Sequence, residues 1–271
     1  MPDTPIPIPS LPAAGSLTGS EDVPIDQAGV TSRTTTQDIA NLAATGGLTA
    51  PPELVQSYMD AANSPSFPGG WSIDGGTGQV PQAGNLLLAI GSAQETSQPT
   101  LSAGSTWTLL GNLSVPNLNG AAAVFFVYYK FAAGGGSSTD TIEFATGGGS
   151  NTFWTLWLFE IAGAGAPADF ASLDNSTGSY EYANRSPAIA APASSLVVAL
   201  VAAGQNTSNQ AGLTNVNYND GIFSQCNQYG SGQFNSHVFV ARLFRAGTKT
   251  FAFPSIGDEG SGAVALYVPH A

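Results

Sequence analysis

Cysteine and charged residues are what this chain of 271 residues has least of. Its single cysteine, Cys226, excludes an intrachain disulfide, so stability has to come from a buried core or from association. Charged residues make up 9% of the chain, against roughly 25% in average soluble domains. Uncharged polar side chains must therefore cover most of the surface. No apolar run approaches the ~20 residues that cross a bilayer, and the first residues lack the pattern of a signal peptide, so we expect no membrane insertion.

The charge that is present is mostly negative and limits the possible partners. The chain has 18 acidic and 6 basic residues, for a formal net charge of −12. Such a field repels phosphate groups, and no cluster of Arg or Lys overcomes it locally. We therefore expect neither nucleic acid nor anionic lipid as a partner.

Hydrophobic residues make up 42% of the chain, which is enough to fill a core. The 33 glycines and 18 prolines follow no collagen-like period and are typical of many short strands joined by turns. The composition predicts an all-β protein built mainly as a sandwich.

The first 48 residues form a zone with its own ordering signals. Alternating prolines over residues 5–12 favour an extended arm. Residues 22–27 and 30–34 predict two short strands around a turn at Ala28-Gly29. Residues 36–43 predict a short helix, capped by Thr35 and ended by Gly46-Gly47. This zone is too small to bury a core alone; it is either a mobile tail or, as we favour, docked on another surface.

Residues 49–70 are rich in proline and predict a linker, with one short helix over Glu53 to Ala62. From residue 71 onward the sequence contains an internal duplication, with half-repeats of about 71–165 and 166–271. Asn85 to Ile90 matches Ser195 to Leu200 at an offset of 110. Val124 to Ala132 matches Val238 to Ala246 at an offset of 114, and Phe153 to Phe159 matches the strand over Ala263 to Val268 at an offset of 110.

Each half therefore offers about four strands, and packing the two halves face to face would bury an apolar face of each. Two independent small domains in tandem are the alternative. Several strands, such as Leu86 to Ile90, are apolar on both faces. This pattern favours either a homo-oligomer or layers of the chain folded over one face.

The segment from Ser10 to Ala43 resembles one that is frequent near the start of phage fibre, spike and other virion proteins. The matching skeleton is Leu11 to Ala14, Val23-Pro24, Gly29 to Thr31 and Asp38 to Ala40. The resemblance implies a particle-anchoring role or a trimerisation collar. The residues it would assign to anchoring are Ile6, Ile8, Leu11, Val23, Ile25, Val30, Arg33 and Ile39.

The duplicated zone resembles a jelly-roll or lectin-like sandwich that recurs in phage and bacterial proteins of varied roles. The matching residues are Gly84 to Leu88, Thr106 to Leu110, Tyr128 to Ala132, and Trp154 with Trp157. The resemblance implies a jelly-roll-like fold, which does not by itself specify a function.

Residues that could carry catalysis are sparse. The two histidines, His237 before a strand and His270 near the end of the chain, indicate no catalytic set, and one cysteine gives no zinc spacing. Asn215 to Gly221 has alternate oxygen-bearing side chains but lacks most of the charge of a calcium loop, so an Asx-rich turn is the preferred interpretation. No spacing pairs the candidate glycosidase carboxylates Asp169, Asp174, Glu181, Asp258 and Glu259. We expect no cofactor and no metal.

Sugar binding is the best hypothesis for a small ligand, since aromatic rings stack on sugars while amides supply hydrogen bonds. Packed polar loops without a ligand are the alternative. The candidate glycan-binding residues are Tyr180, Tyr182, Tyr218, Asn219, Asp220, Asn227 and Tyr229.

These observations predict a non-enzymatic structural protein at a virion surface, a spike, fibre or capsid decoration component. The expected partners are other virion proteins, further copies of the chain (a trimer, from the resemblance) and a host-surface polysaccharide. A polysaccharide-degrading enzyme and a free carbohydrate-binding module are the alternatives.

Overall fold

The structure is a computed structural model in two compact units, Met1–Thr49 and Ala50–Ala271. It describes residues 22–27, 30–35, 50–64, 80–93, 100–101, 105–118, 121–135, 140, 142, 144, 152–174, 186–203, 223–229, 234–251 and 261–271.

In the first unit the described residues form an antiparallel hairpin of β1 (Asp22–Gln27) and β2 (Val30–Thr35). Gln27 pairs with Val30, so two residues connect the strands. The hairpin predicted from the sequence is confirmed. The proline arm and the short helix over residues 36–43 lie outside the described residues.

The second unit contains two five-stranded antiparallel sheets, one from each half of the chain. The strands of the first sheet are β3 (Glu53–Ser64), β4 (Leu86–Ala93), β5 (Thr108–Leu118), β6 (Ala121–Phe131) and β7 (Thr152–Ala162). Those of the second sheet are β8 (Ala168–Asp174), β10 (Ser195–Ala203), β11 (Phe223–Tyr229), β12 (Phe234–Leu243) and β14 (Ser261–Pro269). A separate pair joins β9 (Ile189–Ala191) to β13 (Gly247–Lys249).

The two sheets have the same strand order. The first runs β3-β7-β4-β6-β5 and the second runs β8-β14-β10-β12-β11. Numbered within its own half, each sheet reads 1-5-2-4-3. The sheets stack with β4 on β10, while β7 packs on β12 and β14 packs on β6. The halves are thus related by an approximate two-fold axis along the strands, like the subunits of an isologous dimer.

The sandwich has two distinct ends. At the lower end the chain passes from Ala50 into β3, and the turn after β7 joins the end of β14 through a hydrogen bond from Gly165 N to Pro269 O of 2.8 Å. At the upper end lie Asp174, Ala203 and Tyr229, the last residues of β8, β10 and β11. The nine residues of β10 span the two ends, about 27 Å apart at the usual rise of a strand.

The core between the sheets takes alternate residues from the central strands. Leu86, Leu88 and Ile90 of β4 face Leu196, Val198 and Leu200 of β10, and all six are buried. Face-to-face packing of the two halves, expected from the duplication, is what the structure shows. At one edge of the sandwich, the ring of Phe170 in β8 packs directly against Gly111 in β5. A Cβ atom at position 111 would lie 2.5 Å from this ring, so any side chain there would clash with it.

The intervening residues are also buried, because connections of the same chain cover both outer faces. Over the first sheet, Trp107, Ile142 and Phe144 pack on Leu87, Phe126 and Tyr128. Over the second sheet, the β9–β13 pair and Phe251 pack on Val197, Phe239 and their neighbours. Of the two explanations for strands that are apolar on both faces, the structure therefore shows folded layers. Trp107 and Trp157 are buried as expected; the side chain of Trp154 lies outside the described part.

The all-β class is confirmed, and the predicted helix over Glu53 to Ala62 is wrong. These residues belong to β3, which pairs with β7 along its length with a bulge between Leu54 and Gln56. Their preference for helix is outweighed by pairing and packing in the tertiary structure. The expected linker therefore contains the edge strand of the first sheet, and each half has five strands in its sheet, one more than predicted. The jelly-roll connectivity is not confirmed.

The register corrects two of the three repeat offsets. Leu86 pairs with Phe131 and Ile161, and its counterpart Leu196 pairs with Arg242 and Val268. The structural offset is therefore 110 for β4 and β10, 111 for β6 and β12, and 107 for β7 and β14. The sequence matches of 114 and 110 for the last two pairs were each wrong by three residues. An odd shift exchanges the two faces of a strand, so these matches placed core residues on the outer face.

Candidate functional site

The residues predicted to bind glycan fall mostly outside the described part of the chain. Asn227 and Tyr229 lie in β11, an edge strand, and Tyr229 is paired with Phe234 at the upper end. Tyr180, Tyr182, Tyr218, Asn219 and Asp220 are not described.

Of the residues predicted to anchor the chain to a particle, some are described and others are not. Val23 and Ile25 lie in β1, and Val30 and Arg33 lie in β2, where Arg33 pairs with Pro24. Ile6, Ile8, Leu11 and Ile39 lie outside the described residues.

Two of the five carboxylates considered for hydrolysis are described, and they stand apart. Asp169 and Asp174 are both exposed and lie near opposite ends of β8. They are five positions apart along the strand, which corresponds to about 16 Å, whereas glycosidases hold their two carboxylates roughly 5 to 10 Å apart. These two do not form such a pair. Glu181, Asp258 and Glu259 lie outside the described part.

His237 does not precede a strand, as the sequence analysis expected, but lies within β12, paired with Val201 and Cys226. The strand starts three residues earlier, at Phe234, because the backbone pairs with β11 as far as Tyr229. His270 is exposed, and its Nδ1 lies 2.9 Å from the oxygen of Ala271.

A buried ion pair lies on the outer face of the first sheet and was not anticipated from the sequence. Lys130 Nζ lies 2.9 Å from Asp140 Oδ1, with 8% and 5% of the two side chains exposed. Asp140 also accepts hydrogen bonds of 2.9 Å from the backbone amides of Ala133 and Gly134. Burial raises the pKa of Asp140, but these amides and the Lys130 ammonium outweigh burial, so the pKa lies below its ordinary value of 3.8.

A second buried carboxylate, Glu160, is held by neutral donors on the same face. It accepts hydrogen bonds from Gln56 Nε2, from Gln82 N at 2.8 Å and from Asn85 Nδ2 at 2.7 Å. Gln56 and Leu87 flank Glu160 in the register, and Leu87 also pairs with Lys130. The two charged residues therefore lie in one row across the sheet, separated by Leu87.

The charged residues of this row have a structural role. Glu160 holds the turn at residues 82–85 by hydrogen bonds, and Asp140, paired with Lys130, holds the backbone at residues 133–134. Both of these segments lie at the lower end. Each carboxylate has its oxygens directed at backbone or side-chain donors. The signal available in the sequence was a Lys and a Glu inside two otherwise apolar strands, since such residues are buried almost only with partners.

The lower end also carries exposed apolar and basic side chains. Phe244, just beyond β12, is 51% exposed, and the Arg242 guanidinium lies 5.7 Å from its ring centroid. The same guanidinium lies 3.5 Å from the carbonyl oxygen of Pro51, where the chain enters the sandwich. Arg245 is exposed beside them.

Metal ligands do not gather in the described residues, where no group of three or more His, Cys, Asp or Glu side chains could hold an ion. The Asn215 to Gly221 segment, considered for calcium, lies outside them. No helix in the described part is long and apolar enough to span a membrane.

Comparison with protein families, with curated proteins and with solved structures gives no match for this chain.

Proposed function

We propose that this chain is a non-enzymatic structural protein of the surface of a phage or phage-like particle, attached by its N-terminal region and displaying the sandwich. The skeleton from Leu11 to Ala40 supports the attachment, because it resembles the start of virion proteins. The division into a unit of 49 residues and a self-contained sandwich supports two separate tasks.

The observation that carries the proposal is the difference between the two ends of the sandwich. The chain enters at the lower end through Ala50 and Pro51, whereas Tyr229 and the starts of the connections after Asp174 and Ala203 lie at the upper end. A displayed module needs its attachment and its recognition surface at different ends, and Tyr229 lies at the end opposite to Ala50. The proposed homotrimer rests on the resemblance alone, since the chain's own connections cover both outer faces.

Deleting residues 1–48 tests the attachment. We expect the truncated chain to remain folded by circular dichroism, because the sandwich has its own core, and to be missing from particles assembled in its presence. Quantitative mass spectrometry of purified particles measures its copy number against the full chain. Truncated protein present at the full chain's copy number would contradict the proposal.

Within this function we propose that the upper end binds a host-surface polysaccharide through residues that include Asn227 and Tyr229. Aromatic and amide side chains are the usual means of sugar recognition. Titrating purified host polysaccharide into the full chain should give binding without new reducing ends. Tyr229→Ala should weaken binding, and Ser114→Ala, at an exposed position on the edge strand β5, should not. New reducing ends would instead favour the hydrolase.

A further inference from the structure

The turn after β12 concentrates what little positive charge the chain has. Three of its 6 basic residues, Arg242, Arg245 and Lys249, fall within eight residues that contain no acid. The rest of the chain then holds 3 basic and 18 acidic residues. We call residues 242–249 the basic turn. Leu243 pairs with Ser195, which places the turn at the lower end of the sandwich.

The basic turn presents an aromatic ring together with its charges. Phe244 is the most exposed large hydrophobic residue of the described part, and Arg242 stacks over it. Arginine and aromatic side chains are enriched in protein interfaces, and arginine is among the residues whose loss most often weakens binding.

Other apolar side chains are exposed at the same end. Val55 stands at the bulge of β3, Val80 precedes the turn held by Glu160, and Phe131 ends β6 beside Leu86. Each is more than two-fifths exposed. The lower end thus combines apolar area with the chain's main group of basic residues, and the exposed carboxylates Glu53 and Asp169 lie at the same end.

We propose that the basic turn docks against an acidic, partly apolar protein surface on the particle, as a second point of attachment beside the N-terminal region. This inference rests on the proposed function, because it assigns the partner to the particle. Charge complementarity indicates an acidic partner, and the lower end is where the chain continues toward its attachment segment. Two copies meeting turn to turn would oppose arginine to arginine, and three bases are too few to hold a phosphate backbone against a net charge of −12.

The test uses the full-length chain and particles purified without it. Bound protein is counted by mass spectrometry after sedimentation, over a range of protein concentrations and at two salt concentrations. We expect Arg245→Glu and Phe244→Ser each to weaken binding about tenfold, the range seen when a central interface residue is lost. Raising the salt should weaken the wild type more than Arg245→Glu, because screening removes an attraction that the variant has already lost.

The matched control carries the same change in net charge elsewhere. Ser114→Glu with Ser172→Glu adds two negative charges at exposed positions of the edge strands β5 and β8. This variant should bind like the wild type, and a loss equal to that of Arg245→Glu would overturn the proposal. Size-exclusion chromatography with light scattering on Arg245→Glu should show an unchanged mass, since a changed mass would mean that the turn contacts another copy.

The result also separates this inference from the proposed function. If the basic-turn variants bind like the wild type while deletion of residues 1–48 abolishes binding, the docking inference is wrong and the virion function stands. If the wild type itself does not bind the particles, both are wrong.

Discussion

At the scale of single residues, the described charged side chains include three that are buried and hold the chain together, and others that are exposed. Lys130, Asp140 and Glu160 are each less than a tenth exposed and have hydrogen-bond or ionic partners. Arg242 and Arg245 are exposed beside Phe244. The roles of these five residues can be tested by single substitutions.

Asp140→Asn should lower the free energy of unfolding by about 3 kcal/mol, because it leaves the Lys130 ammonium buried without its counter-ion. Chemical denaturation at pH 7 measures the loss. Lys130→Met added to Asp140→Asn should restore part of it, since no unpaired charge then remains. Glu53→Gln, at an exposed carboxylate, should leave stability unchanged.

The same pair predicts a pH dependence. Because the pKa of Asp140 is lowered on folding, its ionised form favours the folded state. This contribution is present above the ordinary value of 3.8 and is lost as the pH falls through the lower folded value. The difference in stability between wild type and Asp140→Asn should therefore shrink below about pH 4. A difference that stayed constant down to pH 2 would contradict the assignment.

At the scale of elements, each sheet needs a cover as well as a partner sheet. The outer face of the second sheet is closed by the β9–β13 pair and by Phe251, whose ring stacks on Phe239 at 5.1 Å. The outer face of the first sheet is closed by Trp107, Ile142 and Phe144. In the described residues the two covers differ in their pairing, since β9 pairs with β13 over the second sheet whereas Leu101 and Phe144 form a single antiparallel bridge over the first.

Phe251→Ala should destabilise the protein by about 3 to 5 kcal/mol, the usual cost of removing a buried phenylalanine ring. Phe244→Ala removes the same atoms from an exposed position and should change stability by less than about 0.5 kcal/mol. Thermal and chemical denaturation of both variants measures the contrast. Equal losses would mean that Phe251 does not close the outer face.

The strands also show where the hydrophobic pattern of the sequence predicts secondary structure and where it does not. Apolar runs repeated in the two halves predicted β4, β6, β7, β10, β12 and β14, because an apolar run suits a strand buried on both faces. The strand β3 was predicted as a helix, since Glu53 to Ala62 is built from good helix formers, and only pairing with β7 makes it a strand.

At the scale of the whole molecule, the approximate two-fold relation of the sheets produces a sandwich with unlike ends. Both halves begin their central strands, β4 and β10, at the lower end, where the chain also enters and terminates. This common direction places Ala50, the first residue of the sandwich unit, and the residues Asn227 and Tyr229 of β11 toward opposite ends. It also brings Arg242 to Pro51, across 191 residues of sequence.

The sequence by itself determined the all-β class, the hairpin of β1 and β2 and the presence of two matching halves, because these follow from composition, turn residues and local repetition. Only the tertiary structure decided the register of the repeats, the strand identity of β3 and the partners of Lys130 and Glu160. Each of these depends on which backbone lies alongside. A shift of three residues in pairing leaves the hydrophobic pattern of a doubly buried strand almost unchanged and yet exchanges its two faces.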